Sequence, residues 1–284
     1  MESEAIVSLL LFLDGLLLSS LSTDLTTLVF PPQCVSCEDR LVRPPAETIA
    51  WQRSPAGLDV GVDGWSNLER FWCRNCWQRL GLRSRPSCNY CAAVLHQPNA
   101  VLKGCPLCHR EDLRFDQAIA VGGYDGLLRD LVVRMKNQRI DSLAIRLGDL
   151  LAFELSRSSR LTSVDVVLPV PTHWLRRLKR GFCGAELVAL TVAKQLKLSC
   201  EPHLLRCCRR TEKQGTLSMT ARRKNVRQAF AVSRGWDLNG QSILLVDDVM
   251  TSGATVSEIA RVLKQAGASS VFVAVVARAG VAAN

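Results

Sequence analysis

The sequence predicts an α/β fold in which helices cover both faces of a parallel sheet. Short, continuously apolar segments, such as VDVVLPVP at residues 164–171 and ILLVD at residues 243–247, alternate with longer amphipathic segments. The short segments are typical of strands buried in a parallel sheet, and the longer ones of helices. Their alternation along the chain therefore predicts a parallel sheet. A cysteine-rich segment precedes these elements and indicates a small metal-binding module.

We expect three parts in the chain: an N-terminal amphipathic helix in residues 1–30, the cysteine-rich module in residues 31–113 and the α/β domain in residues 114–284. The apolar run AIVSLLLFL near the start has nine residues and follows two glutamates. A signal peptide needs a basic N-terminal region, and a membrane span needs about 20 apolar residues. The sequence has neither, so we expect a cytoplasmic protein without a membrane span.

The cysteine pattern predicts two structural zinc ions. Eight of the twelve cysteines form four C-x-x-C pairs, and two such pairs can complete one tetrahedral Cys₄ site. A disulfide framework is disfavoured without a secretion signal. Thioredoxin-type redox motifs do not occur four times within about a hundred residues. Paired in order, the cysteines enclose loops of 35 and 13 residues, but an interleaved pairing stays open. The candidate ligands are Cys34, Cys37, Cys73, Cys76, Cys88, Cys91, Cys105 and Cys108.

The elements of the α/β domain follow from local patterns. FDQAIAVGGY at residues 115–124 alternates as a strand does. DGLLRDLVVRMKNQ at residues 125–138 places its apolar residues on one helical face, with Asp125 as the expected N-cap. The remaining predicted elements are the helix 142–155, the strand 164–171, the helix 184–196, the strand 243–247, the helix 255–268 and the strand 270–279.

The stretch ILLVDDVMTSGAT at residues 243–255 predicts a site for a phosphorylated ribose. Its last five residues join a strand to a helix start, where free N–H groups and the helix dipole favour an anion. The loop lacks the G-x-G spacing of dinucleotide sites and the Walker lysine, so it fits a single phosphate. Asp247 and Asp248 can accept hydrogen bonds from the 2′ and 3′ hydroxyls of the sugar. The loop residues are Thr251, Ser252, Gly253, Ala254 and Thr255.

This stretch resembles the signature with which type I phosphoribosyltransferases bind 5-phosphoribosyl 1-pyrophosphate (PRPP). YDGLLRDLVVRMK, VVLPVPTHWLRRLKRGFCGAELVA and RTEKQGTLSMTARRKNVRQAFAV precede it in the same chain. This order is similar to the ComF family from Leu28 onward. Members of that family join an N-terminal zinc ribbon to a phosphoribosyltransferase-like domain, and the family is associated with DNA uptake in naturally transformable bacteria. The resemblance therefore implies a type I phosphoribosyltransferase fold with an N-terminal zinc-ribbon module.

The resemblance also implies a mechanism and a set of site residues. An acceptor, which the sequence does not identify, would displace Mg²⁺-bound pyrophosphate from PRPP, with Asp247 and Asp248 as the catalytic residues. LPVP would form the pyrophosphate loop, and residues 213–227 a mobile loop that closes over the substrate. The family's R-G-F-N-Q reads R-G-F-C-G at residues 180–184, which removes two amides. The further binding candidates are Pro169, Val170, Pro171, Arg176, Arg180, Gln214, Arg222 and Asn225.

The charge pattern supports a second hypothesis. Residues 174–234 hold fifteen Lys/Arg against three Asp/Glu, a net +12 in a chain whose total is +10. A concentrated basic segment is typical of proteins that bind substrate phosphates or a nucleic-acid backbone. The alternative is a non-catalytic competence factor that binds single-stranded DNA and a helicase-like ATPase. The acidic pair at residues 247–248 favours the enzyme, because carboxylates repel DNA phosphates.

Overall fold

The computed structural model describes residues 32–41, 68, 71–80, 86–95, 105, 108, 113–158, 163–173, 183–209, 211 and 219–280. In this part of the chain, a five-stranded sheet has the order β1-β7-β6-β2-β3, and every neighbouring pair is parallel. The predicted parallel α/β fold is therefore confirmed, while the helix predicted in residues 1–30 lies outside the described residues. The strands are β1 Gln117–Gly123, β2 Val166–Pro169, β3 Ser199–Cys200, β6 Ser242–Met250 and β7 Ser270–Arg278.

Helices cover both faces of this sheet, as predicted. Successive residues of a strand point to opposite faces, so a strand in the middle of a two-sided core must be apolar throughout. The helices are α2 Gly126–Gln138, α3 Asp141–Ser156, α4 Gly184–Leu196 and α6 Ala254–Gln265. In β6, Ile243 and Leu245 belong to the core on the α6 side, whereas Leu244 and Val246 belong to the core under α2, α3 and α4.

A second, smaller sheet was not predicted from the sequence. Strand β4 (Leu205–Cys207) pairs antiparallel with β5 (Phe230–Val232), and Leu205 and Phe230 join the core on the α6 side. Helix α5 (Met219–Val226) lies between these strands in the chain. The prediction that residues 213–227 form a loop is therefore wrong for their described part. Four of the eight residues of α5 are Arg, Lys or Asn, so no apolar periodicity indicates this helix.

The cysteine module packs against the α/β domain on both sides of the sheet. Cys34 and Cys76 belong to the core under α2 to α4, and Cys88, Cys91 and Cys105 to the core on the α6 side. A short helix, α1 (Arg74–Leu80), carries Cys76. None of the helices in the part of the chain that the structure describes has the length and hydropathy needed to span a membrane. The predicted boundary between residues 113 and 114 stays a prediction.

Candidate functional site

Two of the predicted motifs meet at the carboxyl edge of the sheet. Strands β2 and β6 are parallel neighbours in which Pro169 pairs with Val246, the residue before the acidic pair. The backbone N–H of Val170 donates to the carbonyl of Val246 at 2.8 Å. The carboxyl ends of parallel strands are the usual ligand-binding edge of an open α/β sheet. The structure thus brings the LPVP segment and the aspartates together.

The two aspartates lie inside strand β6, whereas the sequence predicts that the strand ends at Asp247. The strand continues to Met250 because β7 pairs with it along this length, Asp247 facing Val275 and Met250 facing Arg278. Asp247 Oδ1 accepts a hydrogen bond from the backbone N–H of Asp248 at 2.8 Å. Both residues are half-buried. The sheet therefore fixes the backbone that carries both carboxyl groups.

A lysine that the sequence analysis did not select lies beside this pair. Lys136 extends from α2, and its Nζ lies 2.8 Å from Asp248 Oδ1. Burial and the neighbouring charge of Asp248 raise the pKa of Asp247 to about 8, although Lys136 opposes this shift. Near neutral pH the site therefore contains a protonated Asp247 beside an ion pair between Asp248 and Lys136. The contact joins residues far apart in the chain, so no local pattern reveals it.

The phosphate-loop candidate turns sharply into α6. Gly253 has φ of 83°, in the left-handed region that favours glycine, and the helix begins at the next residue. A Cβ on Gly253 would lie 3.0 Å from Cδ2 of Leu113, so the loop also packs too closely for a side chain. Buried Ser252 accepts the N–H of Ala254 at 3.4 Å through its Oγ. The first turn of a helix has backbone N–H groups without partners in the helix itself, which makes the start of α6 a suitable place for an anion.

Arg278 at the end of β7 fixes the start of this loop. The residue is fully buried, and its Nη1 donates to the carbonyls of Met250, Thr251 and Ala279. Its Nε donates to the carbonyl of Cys91 at 2.9 Å. One guanidinium therefore joins the phosphate-loop candidate to the cysteine module. The sequence shows only an arginine at the end of an apolar strand, which does not distinguish it from a residue exposed at a strand terminus.

Tyr90 supports the same loop from a second direction. Its hydroxyl lies 2.9 Å from the carbonyl of Leu113 and 2.8 Å from that of Phe115. Its ring stacks on Phe115 with the centroids 5.5 Å apart. A Cβ on Gly253 would meet Leu113 and Phe115 among its nearest atoms. The C-N-Y-C turn of the cysteine module is therefore packed behind the phosphate-loop candidate.

The cysteines form two Cys₄ groups with the sequential pairing. In each group the four sulfur atoms lie within 4.8 Å of one another, and all twelve cysteines are free of disulfide bonds. This geometry excludes the interleaved pairing. Four converging sulfur donors fit a closed zinc site. The groups are Cys34, Cys37, Cys73 and Cys76, and Cys88, Cys91, Cys105 and Cys108.

In the first group, backbone donors favour the thiolate of Cys34, while burial raises the pKa of Cys37 and Cys76. Although burial opposes ionisation, N–H groups of Cys73, Cys37 and Ser36 lower the pKa of Cys34 to about 7. The first C-x-x-C pair of each group ends in a similar turn. The residue after its second cysteine has a positive φ, which is 66° at Glu38 and 57° at Ala92. Thiolates that accept backbone hydrogen bonds are the form in which cysteine binds a metal ion. The donor set therefore fits zinc.

The other predicted binding residues lie on α5 or outside the described residues. Arg222 and Asn225 are on α5, where the Asn225 carbonyl accepts a hydrogen bond from Arg209 Nη2 at 2.8 Å. Cys183, which replaces the amide of the family pattern, precedes α4 with its Sγ 3.9 Å from Thr172 Oγ1. The candidates outside the described residues are Arg176, Arg180 and Gln214.

The chain is similar in sequence to several known proteins. Residues 183–283 match the model of the phosphoribosyl transferase domain. The chain is 29% identical to Competence protein F of Haemophilus influenzae over 73% of this chain and 90% of that protein. It is also 29% identical to DNA utilization protein YhgH of Escherichia coli K12, over 66% and 81% of the two chains. The sequence resemblance to the ComF family is thus confirmed.

Solved structures also overlap with part of the chain. Glutamine PRPP amidotransferase from Bacillus subtilis, complexed with ADP and GMP, is 25% identical with a TM-score of 0.32. The match covers 47% of this chain and 26% of that enzyme. The structure of TT1426 from Thermus thermophilus is 21% identical with a TM-score of 0.30, and the match covers 46% of this chain and 72% of that one.

The raised pKa of Asp247 predicts that Asp247→Asn stabilises the protein at neutral and alkaline pH. An unfolded aspartate ionises near pH 3.8, but Asp247 in the folded protein keeps its proton up to about pH 8. The folded state of the wild type therefore loses stability as the pH rises through this window, and an asparagine does not. Denaturant unfolding at pH 5, 7 and 9 should show an advantage of the variant that grows with pH.

Asp248→Asn serves as the matched control for this prediction. It removes the partner of Lys136 and should lower stability at pH 7, where Asp247→Asn raises it. Equal pH dependence of unfolding in the wild type and in Asp247→Asn would contradict the raised pKa of Asp247.

Proposed function

We propose that this protein binds PRPP or another phosphoribosyl ligand together with Mg²⁺, and that it acts in the cytoplasm. The proposal builds on its similarity to Competence protein F and on its phosphoribosyl transferase domain. The observation that carries the proposal is the position of two carboxyl groups directly before a loop at a helix start, beside the LPVP segment. The names of the relatives concern competence and DNA utilization, which supports a role in DNA uptake.

Each part of the site suits one part of the ligand. The backbone N–H groups at the start of α6 and the hydroxyls of residues 251–255 would hold the 5′-phosphate. Asp247 and Asp248 would accept the ribose hydroxyls. The backbone of residues 169–171 would face the pyrophosphate at C1′. Mg²⁺ would bind mainly to phosphate oxygens of the substrate and keep several of its water ligands. It would neutralise the charge of the leaving pyrophosphate.

The reaction that this site supports is transfer of the phosphoribosyl group. The bond from C1′ to the pyrophosphate oxygen breaks with its electron pair leaving on pyrophosphate, and a lone pair of the acceptor forms the new bond to C1′. The acceptor's proton passes to solvent or to pyrophosphate. The ring carries positive charge in the transition state, which the nearby carboxylate of Asp248 would stabilise. The acceptor is the open part of the assignment.

Ligand binding tests this proposal. PRPP with Mg²⁺ should bind the wild type in calorimetric titration, and Asp247→Asn/Asp248→Asn should weaken it about tenfold or more, because the diol loses both carboxyl partners, including the charged Asp248. Asp130→Asn, on the exposed side of α2, is the control and should bind as the wild type does. A wild type that does not bind, or a double variant that binds equally well, would remove the proposal.

We also propose that the two Cys₄ groups hold one structural zinc ion each. Metal analysis of the purified protein should give about two zinc ions per chain. Cys88→Ser should reduce this to about one, because a site with three thiolates binds zinc more weakly. Cys208→Ser changes an exposed cysteine outside both groups and should leave the zinc content unchanged. Protein without zinc would contradict the assignment.

A second function has support from the surface of the small sheet. Exposed cations line β4, α5 and the residues around them, and Trp236 is 43% exposed nearby in the chain. Cations with an aromatic side chain are typical of single-stranded nucleic-acid sites. Such a competence factor would also bind a helicase-like ATPase. The exposed cations are Arg206, Arg209, Arg223, Lys224 and Arg227.

Salt dependence tests the second function. Affinity for a single-stranded oligonucleotide should fall steeply and log-linearly with salt concentration if these cations neutralise phosphates. Arg223→Gln/Lys224→Gln should make that slope shallower, whereas the Asp247/Asp248 double variant should not. A slope that is flat in the wild type would contradict DNA binding.

A further inference from the structure

We infer that Lys136 is a positioning residue for the ribose diol: through its ion pair it holds Asp248 in place as an ionised acceptor. This inference rests on the proposed function. Its basis is the contact between Lys136 Nζ and Asp248 Oδ1 at 2.8 Å, which joins α2 to the acidic pair of β6. The side chain of Asp248 is only 17% exposed there, so the ion pair is partly shielded from water. The sequence comparison with the ComF family assigns no role to this lysine.

A cation is needed at this place for a physical reason. Two carboxyl groups on consecutive residues repel each other when both are ionised, and burial increases the penalty. Among the described residues, the cation that acts on Asp247 is Lys136, which itself lies near both aspartates and Tyr124. Burial and Asp248 raise the pKa of Asp247, and Lys136 works against that rise. Without the lysine, the pair would be a weaker acceptor for a sugar hydroxyl.

The backbone that carries Lys136 is held on two sides. Met135 is completely buried in the core under the sheet. Arg134 donates from Nη2 to the carbonyl of Val35 at 2.8 Å and from Nη1 to that of Ser36 at 2.5 Å. A lysine on such a fixed turn of helix loses less freedom on forming an ion pair than one on a mobile surface segment. The helix therefore presents the ammonium group at a defined position.

Two ligands separate this role from a general attraction of anions. Ribose 5-phosphate engages both the phosphate loop and the carboxylates, whereas inorganic phosphate engages the loop alone. A lysine that acts through Asp248 on the diol should affect only the sugar phosphate. A lysine that merely adds positive potential should affect both ligands, because both are anions of similar charge.

The test compares Lys136→Met with Lys136→Arg and with Arg129→Met. Arg129 is exposed on the same helix, so its replacement removes the same charge from a position outside the site. Calorimetric titration at constant ionic strength should show that Lys136→Met weakens ribose 5-phosphate about tenfold, the effect of losing one charge-assisted contact. Its affinity for inorganic phosphate should equal that of the wild type. Lys136→Arg should restore most of the loss, and Arg129→Met should cause none.

Each outcome bears on one proposal. A wild type that binds neither ligand overturns the proposed function and this inference with it. A wild type that binds ribose 5-phosphate, with Lys136→Met unchanged, overturns the inference and leaves the function standing. Equal losses for both ligands show general attraction and also overturn it. Thermal unfolding of every variant checks the fold, and Lys136→Gln replaces Lys136→Met in the comparison if the methionine variant does not fold.

Discussion

The buried guanidinium of Arg278 is the interaction on which the candidate site depends most. A buried charge needs partners for its donors, and here carbonyls of Cys91, Met250 and Thr251 accept from Nε and Nη1, whereas Nη2 has no hydrogen-bond partner among the described residues. No carboxylate neutralises it among the described residues. Burial raises the pKa of the Cys91 thiol to about 11, and Arg278 opposes that rise. Zinc bound by four thiolates carries net negative charge, so a filled site would be a suitable counter-charge for this arginine.

The two cysteine groups support different halves of the candidate site. The second group reaches the phosphate side, through Arg278 and through the packing of Tyr90 behind Gly253. The first reaches the carboxylate side, because Arg134 of α2 binds the turn between Cys34 and Cys37 and Lys136 follows on the same helix. The cysteine module therefore contributes to the geometry of the site and is more than an appended domain.

The sequence predicts the parts of this molecule that depend on local pattern. The buried strands and their helices follow from apolar periodicity, and the phosphate loop from its position between them. Lys136 and Arg278 could not be identified, because their roles arise from contacts with residues remote in sequence. The extent of β6 was underestimated because pairing with β7 outweighs the low strand propensity of two aspartates. The short β4–β5 sheet has too few residues to show a periodicity.

The bond from Arg278 to Cys91 has a thermodynamic consequence. If occupancy of the second cysteine group changes the affinity of the neighbouring loop for a sugar phosphate by some factor, the sugar phosphate must change the affinity for the metal by the same factor. The rate at which a chelator removes the metal from the second cysteine group would then depend on whether the sugar phosphate is bound. Binding of the metal and binding of the sugar phosphate would then be coupled through Arg278.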